Sequence, residues 1–194
     1  IFKRGITRSL PLTRRDIQNN RISIGYSVSE VLMNGSPVNY FTEREGGDLI
    51  IYVGDRNIFL DPGFYIYEIY YETAGQIGFY EDYDELSWNV NGISGKMIDS
   101  VSSVVRLPTG ANIISSHCYT GRFGDKESDC ISEINEDGSL TTVVNNLPSN
   151  EMLTVSVGFT KGVVNQPAGF ETNVFSWFDK NGMAVVSAVF ILLL

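Results

Sequence analysis

An all-β fold, an antiparallel β-sandwich followed by the start of a C-terminal transmembrane helix, is predicted by three features of this sequence. Short stretches rich in Val, Ile, Tyr and Phe recur along the chain, Gly, Pro, Asn and Asp punctuate them, and no convincing amphipathic helix precedes the C-terminal end. Hydrophobic residues make up 43% and aromatic residues 12%, with 10 Tyr and 11 Phe. Aromatic and β-branched side chains suit a pleated, half-buried surface, so this composition favours strands. Many short strands separated by Gly and Pro turns indicate two packed sheets.

The strand signals begin at residues 22–29, where Ile22, Ile24, Tyr26 and Val28 alternate with small residues at period two. Residues 31–33 and 38–41 flank Asn34-Gly35, a strong hairpin signal. Residues 49–53 and 58–60, separated by 54–57 and preceded by the turn-rich 45–48, predict a second hairpin. After the turn at Asp61, Pro62 and Gly63, residues 64–71 are apolar or aromatic on both faces, which predicts a central strand covered on both sides. Further strands are expected at 97–107, 111–119, 130–134, 140–145 and 152–159, with a short helical turn near Asp84 to Trp88.

Residues 182–194 are uncharged and increasingly apolar, with Ser187 their one polar side chain. A membrane helix takes about 20 mostly apolar residues, so this run is expected to be the first part of a span; a buried C-terminal helix is the alternative. Trp177 and Phe178, close to Lys180, sit where aromatic and polar side chains meet headgroups and are assigned to membrane entry. The expected organisation is one domain over 1–176 and a span beginning in 177–194. The front, from Ile1, carries neither an apolar signal core nor a cleavage site, so the chain is read as an internal fragment with any export signal upstream.

The formal net charge of -9 is unevenly spread. Residues 1–21 hold six basic residues against Asp16, a net of +5, which leaves -14 for the remainder. An acidic body disfavours nucleic-acid partners, whose phosphates call for a basic surface. The basic front is expected to be a solvated arm or a first strand with exposed Arg; contact with anionic lipid or a partner is the alternative.

Cys118 and Cys130 are the sole cysteines and bracket a polar loop rich in turn formers. Outside the cytoplasm such a pair is expected to oxidise, with two free core thiols or a metal site as alternatives. With His117 the cysteines give at most three ligands, without the close Cys spacing of a zinc ribbon. His117 is the lone histidine and so the one base for a histidine-dependent catalytic set. Neighbours on a strand face opposite ways, which separates it from Cys118. Glu81, Asp82, Asp84 and Glu85 form the densest carboxylate cluster and, with Trp88, are the candidate binding cluster. Calcium binding and paired carboxylates for glycoside hydrolysis are its functional readings, and a solvated turn is the plain one. No catalytic set, cofactor or metal is expected.

Several short motifs occur in a shared order: Gly5 to Arg8 with Leu10-Pro11, Tyr65 to Tyr70, Asp84 to Asn89 with Gly92, Leu107-Pro108, Cys118 to Gly121, and Leu153 to Gly162. Together they resemble the bacterial family called domain of unknown function 2207. The resemblance implies an exported β domain preceding transmembrane helices, and it carries no catalytic residue, cofactor or substrate. The chain departs from the family in having Ser87 before Trp88 where an aromatic residue is common. The resemblance also implies a first strand ahead of Ile1. The expected function is a non-enzymatic ectodomain at the bacterial cell membrane, on the extracytoplasmic side, for binding or envelope assembly. Its expected partners are membrane lipid through the C-terminal helix and a protein or envelope ligand. An envelope hydrolase acting on polysaccharide or peptide, and a membrane-anchored sensor, are the alternatives.

Overall fold

The computed structural model describes residues 4–166 apart from Ile17 and Lys126. Trp177, Phe178, Lys180 and the expected helix after them lie outside the described residues. Among those described, no helix is long and apolar enough to cross a membrane. The fold is all-β and antiparallel, and it gathers into two compact units within the stretch read from sequence as one domain.

Unit 1 takes in the described residues up to Arg15 and Arg21–Gly75. Its strands are β1 (Gly5–Pro11), β2 (Thr13–Arg15), β3 (Arg21–Ser23), β4 (Gly25–Met33), β5 (Ser36–Pro37), β6 (Tyr40–Glu45), β7 (Asp48–Gly54) and β8 (Tyr67–Ala74). They form the sheets β1-β7-β6 and β5-β4-β8 and the ribbon β2-β3. Along β7 the buried residues are Leu49, Ile51 and Val53, and along β8 they are Tyr67, Ile69, Tyr71 and Thr73, the period-two pattern of half-buried strands. Removing each large apolar side chain from water favours folding by roughly 1.5–3 kcal/mol.

The hairpins of this unit correct two expectations. Residues 49–53 do not pair with 58–60; β7 pairs with β6 on one side and β1 on the other. Gly46 and Gly47 close the β6-β7 hairpin at φ 61° and 94°, and a two-residue turn with both residues in the left-handed region suits a pair of glycines. This short closure ahead of β7 leaves 58–60 outside the sheets. The Asn34-Gly35 turn forms as expected, but its second arm is only Ser36–Pro37 before the chain moves to β6. The strand expected at 64–71 starts instead at Tyr67, opposite Met33 at the end of β4, and it lies at the edge of its sheet. At the other end of the first sheet Gly5 faces Gly54. A Cβ on Gly5 would stand 1.8 Å from the carbonyl oxygen of Val53, so only glycine permits this approach.

Unit 2 takes in Asp16–Asn20 and the described residues from Gln76 onward. Its strands are β9 (Ile77–Phe79), β10 (Tyr83–Asn89), β11 (Ile98–Val105), β12 (Ile113–Gly121), β13 (Ile131–Ile134), β14 (Leu140–Leu147) and β15 (Met152–Thr160). The sheets are β12-β15-β10-β9 and β11-β14-β13, brought together where β14 meets β15 and β12 meets β13. Here β15 is the strand buried along both faces, with Leu153, Val155, Val157 and Phe159 at 1% exposure or less. The helical turn expected near Asp84 to Trp88 is strand β10, whose register against β15 runs unbroken from Tyr83 to Asn89. Pairing with an apolar central strand outweighs the weak local signal of the acidic run.

Candidate functional site

Cys118 and Cys130 are joined by a disulfide, with Cα atoms 6.2 Å apart. Cys118 lies on β12 and Cys130 directly precedes β13, so the bond ties one sheet of unit 2 to the other. The loop it closes is knit from within. Thr120 N–H donates to the Glu127 carbonyl at 2.7 Å, Asp129 N–H to Thr120 Oγ1 at 3.1 Å, and Arg122 N–H to Asp125 Oδ2 at 2.9 Å. Phe123 stands at the tip, 90% exposed, beside a shallow cleft of about 130 Å³ that also meets Asn89, Tyr119, Arg122 and Thr154. His117 is exposed on β12, near the ring of Tyr119.

The acidic cluster does not converge. Glu81 and Asp82 are exposed before β10, Glu85 is half-buried, and Asp84 is buried at 1% exposure. Alternation along the strand sends Asp84 and Glu85 to opposite faces, with half-buried Trp88 on the face of Asp84 and Leu86. Asp84 Oδ2 accepts a 3.0 Å hydrogen bond from the N–H of Gly162, just after β15, while Oδ1 has no hydrogen-bond partner among the described residues. The solvated turn expected here describes Glu81 and Asp82 only. Among the described residues, no group of three or more His, Cys, Asp or Glu side chains could hold a metal ion.

In unit 1 the basic front runs through three strands, with Arg8 on β1, Arg14 and Arg15 on β2 and Arg21 opening β3. Arg4, Arg15 and Arg21 are exposed as expected, but Arg8 is half-buried with its Nε shut off from solvent, against Tyr71 of β8 and Tyr26 of β4. Burial lowers the Arg8 pKa, and the two tyrosines oppose that shift. Burial raises the Tyr71 pKa, and Arg8 opposes it. Arg14 is spent on the fold too, its Nε donating to the carbonyl of Gly75 at 2.6 Å.

The sequence reading missed the apolar end of unit 1. Ile58, Phe59, Phe64 and Ile66 are 58%, 59%, 82% and 40% exposed, with Tyr40 and Phe41 partly exposed at the start of β6. A cleft of about 240 Å³ opens among Met33, Val38, Ile58, Leu60, Tyr67 and Arg4. The loop across residues 55–66 is held at both ends. Ile58 N–H donates to the Asp55 carbonyl, and Asn34 and Ile66 exchange hydrogen bonds of 2.8 and 2.9 Å. Arg4 lies over the ring of Phe59 at 4.4 Å and Arg56 over that of Phe41 at 5.6 Å. The available signal was the apolar run 58–60 followed by Pro62, which demotes a strand to a loop with apolar side chains.

Comparison with known proteins adds two findings. Over 91 residues, 47% of this chain, the sequence is 31% identical to "Uncharacterized protein YciQ" of Escherichia coli (strain K12). The match spans 14% of the length of that relative. No solved structure matches. The family model described as "Predicted membrane protein (DUF2207) N-terminal domain" matches residues 2–159, across strands of both units, so the chain belongs to that membrane-protein family.

Proposed function

We propose that this chain is the non-enzymatic, extracytoplasmic part of a bacterial membrane protein and that it works by binding. In this reading each unit is a two-sheet sandwich, and the chain enters the membrane from Trp177, Phe178 and Lys180 onward. The observation that carries it is the set of exposed apolar side chains on the 55–66 loop of unit 1, beside a cleft lined by Met33, Val38, Ile58 and Leu60, since large apolar groups gathered on a surface mark an interaction site. The chemistry-bearing side chains support it from the other direction: Cys118 is bonded to Cys130, Asp84 holds Gly162, and Arg8 faces Tyr71. Catalysis by acid and base needs side chains that converge on one reacting atom. His117 and the carboxylates from Glu81 to Glu85 are dispersed over a strand face, a strand interior and a loop.

Sidedness is the test. With Phe123→Cys as the free thiol, a membrane-impermeant maleimide applied to cells with a permeabilised outer layer should label the intact protein before the inner membrane is broken. Labelling only after that membrane is broken would put the units in the cytoplasm and defeat the reading. The hydrolase alternative makes a separate demand. Glu81→Gln, Asp82→Asn and Glu85→Gln together, with Asp84 kept for the fold, should abolish an activity on polysaccharide or peptide if one exists.

A further inference from the structure

We propose that the apolar end of unit 1 rests on the lipid bilayer itself, with Ile58, Phe59, Phe64 and Ile66 entering the headgroup region; this rests on the binding reading above and names its partner. Three observations favour lipid over a protein. First, the side chains are those of a membrane interface. Phenyl rings and Ile stand out from a loop, and the two cations beside them, Arg4 and Arg56, lie on the ring faces of Phe59 and Phe41. An arginine can stack its apolar plane on a ring while its charged edge meets phosphate, as cationic side chains do at the membrane surface.

Second, the loop itself carries little charge that would oppose an anionic surface. Asp55 is turned into its own loop, accepting from the N–H of Asn57 at 2.7 Å, which leaves Asp61 as the exposed carboxylate among residues 55–66. Unit 1 has seven Arg against eight carboxylates in residues 4–15 and 21–75, close to neutral, whereas unit 2 is strongly acidic. A bacterial membrane bearing anionic phospholipid repels the second far more than the first. Third, membership of a membrane-protein family makes a bilayer the surface always present beside this domain. The loop is already fixed at Asp55 and Ile66, so insertion orders little new chain.

The test uses the intact protein in vesicles of phosphatidylethanolamine and phosphatidylglycerol. An environment-sensitive fluorophore is placed at Asn57→Cys, beside the patch but not part of it, and for comparison at Phe123→Cys in unit 2. Lipid carrying a shallow spin label should quench the label at residue 57 about threefold or more over that at 123, as expected for side chains buried at the headgroup level. Adding Phe59→Ser and Phe64→Ser should bring the two labels level. Equal quenching at 57 and 123 in the unsubstituted patch would overturn the proposal. So would a label at 57 shielded from aqueous iodide but untouched by the spin-labelled lipid, because a protein would then cover the patch. Maleimide labelling of Phe123→Cys in cells reports the ectodomain reading separately, so either result can fail while the other stands.

Discussion

Unit 2 carries thirteen carboxylates and five cations in residues 16–20 and 76–166, while residues 4–15 and 21–75 of unit 1 are within one charge of neutral, with Arg as their only cation type. The acidic unit is cross-linked by Cys118–Cys130 and keeps a buried carboxylate, Asp84, on the backbone of Gly162. The near-neutral unit has no covalent link among its described residues. It closes a hairpin with Gly46 and Gly47 and sets Arg8 between tyrosines of the facing sheet. A domain that repels itself gains from a constraint that ionisation cannot remove, whereas one near neutrality can keep a cation inside if phenols face it. The two units should therefore fail under different conditions.

The largest effect belongs to the disulfide. Cys118→Ser with Cys130→Ser should destabilise unit 2 by about 2–4 kcal/mol, the usual cost of losing a bond that closes a loop of this size. Hydrogen exchange of β12, β14 and β15 amides should quicken, while β4, β7 and β8 keep their protection. Equal loosening in both units would break the comparison, because the two would then unfold as one.

Next comes Asp84. Asp84→Ala removes the acceptor for the Gly162 N–H and opens space behind β10, at a cost of about 1–3 kcal/mol. Asp84→Asn keeps an oxygen that can accept and should cost less. An alanine variant as stable as the parent would show that the hydrogen bond holds nothing. The Gly162 amide is the local reporter, since its exchange should rise first.

Unit 2 was the more legible unit from sequence. Its strands β11 to β15 fall within two residues of the expected stretches because each is a β-branched run bounded by Gly, Pro or Asn turns. Unit 1 misled in two places for one reason. Residues 58–60 and 64–66 are as apolar as a strand, and hydrophobicity alone cannot tell a core strand from a loop whose apolar side chains face outward. The dipeptide Gly46-Gly47 was the better guide, because a turn with both φ positive fixes which strands meet. Pairing of the cysteines was readable from their number and spacing. That the bond would join two sheets was not, since which sheet takes β13 depends on contacts far apart in the chain. The dispersal of the carboxylates from Glu81 to Glu85 follows from β10 being a strand, and the expected helical turn hid it.

A smaller effect, at alkaline pH, belongs to unit 1. Tyr71 has its pKa raised by burial, and Tyr67 likewise, so the folded state holds both phenols neutral at a pH where the unfolded chain begins to lose those protons. Their contribution is complete below the ordinary value of 10.0 and is lost as pH rises from there through the folded values. Arg8 keeps its guanidinium charge across this range, so the slope belongs to the phenols. Melting followed by β7 and β8 exchange between pH 8 and about pH 11 should show unit 1 weakening first. Tyr71→Phe, which cannot ionise, should flatten that dependence. An unchanged slope would mean that Tyr71 is not the group responsible.

The smallest effect is on the acid side of unit 2, at the hairpin joining β13 to β14. Asp137 has its pKa lowered chiefly by the Ser139 hydroxyl, then by the Ser139 backbone N–H at 3.0 Å, with burial opposing and Arg106 a lesser influence. Arg106 is 3.8 Å away, and both side chains are more than half exposed, so water and salt screen the pair. Because the folded pKa lies below the unfolded one, the contribution is present above the ordinary value of 3.8 and is lost as pH falls through the folded value. Unit 2 should thus lose this turn's support below about pH 4, where unit 1 keeps its tyrosines neutral. Ser139→Ala should move the Asp137 titration, followed by carboxyl carbon resonances, up toward the ordinary value. Arg106→Gln should move it far less. The reverse order would assign the shift to charge instead of the hydroxyl, and strong salt dependence of the parent titration would then accompany it.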